Sequence, residues 1–173
     1  PFGSSLPPLN VTPNAEQSRR GTQPVQISIA EGRIVTGEIY VNEPLEIEGV
    51  VIQQRWPGFL LIGAPPVTWG ALPAQLRDFG YTVLVVDLDI TATTEDFSAV
   101  MAAFSEDEHI NPGAMAAIGV ENGADLTLLG CAVENLCDAA VLISPGSRDT
   151  LLNVLPNYDP RPLIVFASLG DVD

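Results

Sequence analysis

The rhythm of apolar and polar positions divides the chain into two textures. Val25, Ile27 and Ile29 alternate with Gln26 and Ser28, and the alternation resumes from Ile34 to Val41 after the break at Glu31-Gly32-Arg33. Period two with a glycine-bearing turn predicts an antiparallel hairpin over residues 25–41. Leu45 to Gln54 predicts a further short strand. From Phe59 onward the apolar runs are short and unbroken: Phe59–Ile62, Tyr81–Val86, Ala114–Val120, Ala139–Ile143 and Pro162–Ala167. Such runs mark strands buried on both faces, the habit of parallel sheets.

Between these runs lie segments of helical length. Leu72–Phe79 stops at Gly80. Thr94–Phe104 follows a Thr-x-Glu-Asp start, which puts carboxylates at the positive end of a helix, and Phe97, Val100, Met101 and Phe104 share one face. Ala124–Asn135 follows the third run. Strand and helix in alternation predict βαβ units. The expected fold class is therefore α/β: a mostly parallel, doubly wound sheet entered through an N-terminal antiparallel hairpin. Residues 1–23, with Pro7-Pro8 and Pro13, predict an extended N-terminal arm, and residues 24–173 a single domain.

Composition adjusts this picture in three places. Apolar residues make up 46% of the 173, enough for an ordinary core. The most apolar stretch, Phe59–Ala74, is broken by Gly63, Pro65, Pro66, Gly70 and Pro73, so no segment is expected to span a bilayer. The net charge is −15 and all seven basic residues are arginine. Phosphate binding needs clustered Lys and Arg, so nucleic acid is excluded as a partner. The acidic surface reads either as a solubility adaptation or as a docking face for a basic protein. Asn10-Val11-Thr12 is a glycosylation sequon that matters only in a secretory pathway.

The two cysteines, Cys131 and Cys137, are not spaced as a zinc site or a redox pair. They read either as small buried apolar residues or as an oxidised pair closing the end of a helix. The chain opens on Pro1 and a Pro/Ser/Asn-rich stretch. That start resembles the tether of an exported or lipid-anchored protein, so the expected location is extracytoplasmic: periplasmic or at the cell surface.

The candidate chemistry sits after the third buried run, at Gly119-Val120-Glu121-Asn122-Gly123 ahead of a helix. The nucleophile elbow of α/β-hydrolases reads Gly-x-Ser-x-Gly in this setting. The chain resembles the dienelactone-hydrolase-like branch of that superfamily over roughly residues 25–173. It has a leading hairpin, Pro57–Gly63 as the strand before the oxyanion loop, Leu76–Leu84 as helix, glycine and strand, Asn111-Pro112-Gly113 before the elbow strand, and Val141–Gly146 after the elbow helix. The family normally adds one more strand and helix, with its histidine, beyond the point where this chain stops at Asp173, so the sheet is expected to be truncated at its C-terminus.

The resemblance also defines departures. Glu121 stands where the family has Ser, Cys or Asp. No histidine follows the elbow; the single one, His109, lies in Glu106-Asp107-Glu108-His109, which reads as a solvated loop. Pro65 and Pro66 lack the N–H that an oxyanion loop supplies. Asp171 or Asp173 occupies the position of the triad acid as a relic. Loss of a triad costs serine hydrolases about a millionfold in rate. The expectation is thus a chain that is not an enzyme: a non-catalytic accessory subunit of an extracytoplasmic, membrane-associated assembly, meeting other protein subunits through its arm and acidic surface. No cofactor and no metal are expected. The alternatives are a carboxylate nucleophile at Glu121, a small-molecule binder using the cleft, and a hard cation held by Glu121, Asp87 and Asp171.

Overall fold

The computed structural model describes residues 21–29, 32–52, 54–88 and 90–167. The arm up to residue 20 and the carboxylates Asp171 and Asp173 lie outside the described residues. A seven-stranded sheet forms the centre. Its strands are β1 (Thr22–Ser28), β2 (Ile34–Tyr40), β5 (Trp56–Ile62), β6 (Thr82–Val86), β7 (Ile110–Val120), β8 (Ala139–Ile143) and β9 (Leu163–Phe166), in the order β1-β2-β6-β5-β7-β8-β9. β1 and β2 form the antiparallel hairpin and β2 joins β6 antiparallel; all later pairs are parallel. The expected α/β class, parallel sheet and leading hairpin are all present. β1 starts at Thr22 and includes Pro24, which an edge strand tolerates because that N–H is not needed by a second neighbour.

Two local expectations are corrected and one element is added. Residues 45–54 are not one strand but two, β3 (Leu45–Ile47) and β4 (Val50–Ile52), joined at Glu48-Gly49 into a separate two-stranded sheet. Both turn residues have positive φ, 51° and 80°, as a two-residue hairpin turn of matching twist requires. Asn111-Pro112-Gly113 is not a loop ahead of β7 but part of it. The strand runs on to Ile110, with an irregularity where Trp56 pairs with Ile110 and Gly58 with Met115. Finally, a helix that apolar runs alone do not reveal spans Arg148–Tyr158.

Four helices cover the sheet: α1 (Leu72–Asp78), α2 (Thr94–Ser105), α3 (Asn122–Val133) and α4 (Arg148–Tyr158). Alternation along β6 divides them between two layers. Leu84 and Val86 join a large core with Leu60, Ile62, Ala117 and Leu142, against Phe97 and Met101 of α2, Leu128 of α3 and Tyr158 of α4. Val83 and Val85 point the other way, with Leu61 and Ile118, onto Leu72 and Leu76 of α1. A strand buried on both faces needs no polar alternation, which is why these runs are continuous.

α2 is fixed at its start by a reciprocal cap. The Asp96 amide donates to Thr93 Oγ1, and Asp96 Oδ2 accepts from the Thr93 amide at 2.9 Å. The same oxygen accepts from Arg33 Nη2 at 2.6 Å, tying the β1–β2 turn to α2. Asp96 is fully buried. Burial alone would raise its pKa, but the hydrogen bonds from Thr93 and the Arg33 guanidinium outweigh it and hold the carboxyl below its usual range.

Candidate functional site

The elbow is built by glycines. β7 ends at Val120, α3 begins at Asn122, and Glu121 is the single residue between them, with φ 52° and ψ −121°. L-residues avoid this region, and glutamate gains nothing locally by adopting it. The surroundings force it. The Glu121 amide donates to Ile143 O at 2.9 Å, and its carbonyl accepts from the Ala124 amide at 2.9 Å, so the turn is locked to β8 and to the first turn of α3.

Gly119 and Gly123 are required by contact. A Cβ on Gly119 would sit 2.6 Å from Ala124 Cα, and one on Gly123 would sit 2.6 Å from Ile62 O. Gly63, at the end of β5 with φ 98°, closes the same junction: a Cβ there would lie 2.8 Å from Gly123 Cα. Three backbones therefore meet without side chains between them. Sequence reasoning identified Gly119 and Gly123; it passed over Gly63 as part of this junction, although its place directly after a buried strand was the available signal.

The crevice above this junction has a volume of about 260 Å³ and is lined by Gly63, Asp87, Leu88, Ile90, Ala92, Glu121, Asn122, Gly123 and Leu126. It lies at the C-terminal ends of β5, β6 and β7, where open α/β sheets bind ligands. Glu121 and Asp87 are both exposed to it. Asp125, in the first turn of α3, instead accepts from the Ser147 amide at 3.3 Å and holds the loop before α4. The structure thus brings together two of the three carboxylates considered for a cation, Glu121 and Asp87; Asp171 lies outside the described residues. Among the described residues there is no cluster of three His, Cys, Asp or Glu side chains suited to a metal.

Pro65 and Pro66 have a structural use. Pro65 precedes a short 3₁₀ turn, Pro66–Trp69, and Pro66 is its first residue, where a missing N–H costs nothing. Trp69 Nε1 donates to Ala64 O at 3.0 Å and holds the loop against the sheet. Of this loop, Gly63 is among the residues that line the crevice. The Asn122 amide, in the first turn of α3, is among those with no acceptor inside the helix.

His109 is in the loop before β7, at the opposite end of an 11-residue strand from Glu121. At the strand rise this is on the order of 30 Å. Its Nδ1 lies 2.8 Å from Asp107 Oδ1, and its carbonyl accepts from the Trp56 amide and from Thr82 Oγ1. It serves the far end of the sheet and does not reach the crevice.

Cys131 and Cys137 are joined, with an S–S distance of 1.99 Å and a Cα–Cα distance of 5.2 Å. Of the two readings left open by their spacing, the oxidised pair is the one observed. Both are fully buried, and the pair closes the turn from α3 to β8. Arg161 Nη1 donates to Glu134 O and Cys137 O at 3.1 and 3.0 Å, fastening that turn to the segment before β9.

No protein-family model matches the chain, and no curated protein matches it. Solved structures do match. An esterase from Pyrobaculum calidifontis superposes with a TM-score of 0.59 at 16% identity, over 85% of this chain and 55% of its own. EstE1, a thermostable carboxylesterase cloned from a metagenomic library, gives 0.57 at 22% identity over 76% and 52%. The α/β hydrolase GrgF from Penicillium sp. gives 0.60 at 17% identity over 78% and 51%. The chain spans about half the length of these structures. Its fold is that of the α/β-hydrolases, as the elbow and the strand order indicated. The expectation that the chain is not an enzyme is corrected by these likenesses: the neighbours are esterases and hydrolases, and the architecture is an enzyme fold. The departures at Glu121 and in the oxyanion loop do not establish inactivity.

Proposed function

We propose that the elbow crevice is the active site of a hydrolase in which Glu121 is the nucleophile. The observation that carries this reading is the backbone of Glu121: φ 52° and ψ −121° at a sharp strand-to-helix turn, with the side chain lining the crevice. Strain held by three glycine contacts at the mouth of a cleft is the arrangement that presents a nucleophile. A carboxylate suits an alkyl electrophile such as an epoxide. A Glu121 oxygen attacks the ring carbon, an ester bond forms, the ring C–O bond breaks, and the alkoxide takes a proton from water. A second water then attacks the ester carbonyl and gives one proton to the Asp87 carboxylate. As the tetrahedral intermediate collapses, the leaving alkoxide takes that proton from Asp87 and departs as the diol, and the proton left on the Glu121 carboxyl neutralises the hydroxide formed in the first step. The apolar lining from Leu88, Ile90, Ala92 and Leu126 suits a small hydrocarbon body, and two carboxylates disfavour anionic substrates.

Hydrolysis of styrene oxide tests this reading. Turnover above the solvent rate, falling at least a hundredfold in Glu121→Gln, supports it. Equal rates in the two proteins overturn it. Stabilisation by the epoxide or its diol without turnover would make the crevice a binding module instead, by mass action on the native state.

An extracytoplasmic location and association with other protein subunits belong to the same proposal. The Cys131–Cys137 disulfide supports the first, because such bonds persist in oxidising compartments. The net charge of −15 supports the second through steering toward a basic partner.

A further inference from the structure

The β3–β4 hairpin stands apart from the sheet that carries the crevice. Ile47 pairs with Val50 and Leu45 with Ile52, which places Ile47, Val50 and Ile52 on one face. Their exposures are 49%, 62% and 41%, and Val51 on the other face is 64% exposed. Three β-branched side chains on one face of a ribbon, whose outer edges pair with no other strand among the described residues, are a template for strand addition. A two-stranded hairpin is marginal by itself, so the ribbon gains order from whatever pairs with it.

Its position fits a docking role that leaves the crevice open. β2 reaches Tyr40 opposite Val83, near the start of β6, and β5 begins at Trp56. The hairpin between them therefore lies at the N-terminal end of the parallel strands, opposite Glu121. Its charge indicates the occupant. Glu43, Glu46 and Glu48 are exposed along the ribbon, and Arg55 alone offsets them in the adjoining segment. A second copy of a chain at −15 would bring like charge to this edge, and anionic headgroups would be repelled by it.

We propose that the β3–β4 hairpin docks an extended segment of another protein, one alternating β-branched residues with lysine or arginine. The segment adds as a third strand. Its apolar residues extend the Ile47–Val50–Ile52 face, and its basic residues meet Glu46 on the other.

The test uses a fluorescein-labelled peptide of alternating Val and Lys, with a Val/Glu peptide as control, titrated into the full chain by anisotropy. Saturable binding of the Val/Lys peptide, weakened at least tenfold in Val50→Ser/Ile52→Ser and again in Glu46→Lys/Glu48→Lys, supports the proposal. These residues are outside both cores, so an unchanged melting temperature verifies that each variant is folded. Binding unaffected by Val50→Ser/Ile52→Ser would reduce the contact to general charge attraction and overturn it. Absence of binding, equal binding of the Val/Glu peptide, hairpin-dependent self-association, or hairpin-dependent binding to phosphatidylcholine vesicles would each overturn it as well.

Discussion

At the residue scale, Glu121 concentrates the cost of the site. Its φ of 52° with ψ of −121° is a conformation that glycine adopts freely and glutamate does not. Strain of this kind is worth about 1–3 kcal/mol, partly offset in a glycine variant by the extra freedom of its unfolded chain. Glu121→Gly should therefore raise stability by about 1 kcal/mol in urea denaturation while removing the nucleophile. A loss of stability would mean that the carboxylate makes a native contact that outweighs the strain. The five-residue elbow was legible in the sequence because its glycines answer to contact: backbone atoms of Gly63, Ala124 and Ile62 occupy the places where side chains would sit. A strained residue between the two glycines is what the elbow pattern implies; what holds Glu121 in that conformation, the Ile143 carbonyl and the first turn of α3, comes from the fold.

At the scale of elements, the joints between secondary structures are polar and specific. The Thr93–Asp96 cap and the Arg33 ion pair link α2 to the β1–β2 turn. Asp96→Ala should cost about 2 kcal/mol, roughly 1 for the cap and a comparable amount for the charge-assisted bond. The pH dependence follows in sign. A carboxyl whose folded pKa lies below its unfolded value contributes stability above the unfolded value, near pH 4, and that contribution disappears as pH falls through the folded pKa. Wild type should lose its advantage over the variant in denaturation series carried from pH 6 to pH 2. A constant difference would contradict the assignment.

The turn between α3 and β8 rests on the disulfide. Closing so short a loop is worth about 2 kcal/mol by chain entropy, so Cys131→Ser/Cys137→Ser should lower the melting temperature by several degrees. No change would show that Arg161 and local packing suffice. The α3 reading from sequence came within two residues at each end, whereas α4 was missed. Its Leu151, Val154, Leu155 and Tyr158 do fall on one helical face and pack into the larger core. Pro156 inside the helix and the exposed Leu152 obscure that period, although Ser147, whose hydroxyl accepts from the Thr150 amide, was a readable start signal. The β3–β4 hairpin was unreadable for a different reason: all its described side chains are exposed, so no buried face imposed a register on the pattern.

For the whole molecule, the parallel sheet was legible because double burial writes itself as unbroken apolar runs, and the comparisons bear out the α/β-hydrolase fold. The expectation that the chain is not an enzyme went further than its missing family groups allow, since the architecture is that of esterases and hydrolases. The sequence shows which family groups are missing and already points to Asp87 beside Glu121; the structure brings both to one crevice, Asp87 from the end of β6, with β5 between it and β7. That pairing is the basis of the proposed chemistry, and the Asp87→Asn variant isolates it. With Asp87 unable to take the proton from water, an ester on Glu121 should persist after exposure to styrene oxide. Peptide mass mapping of that variant should find one epoxide mass on the peptide containing Glu121, absent when Glu121→Gln is added. No adduct, or modification spread over exposed carboxylates regardless of residue 121, would contradict the account.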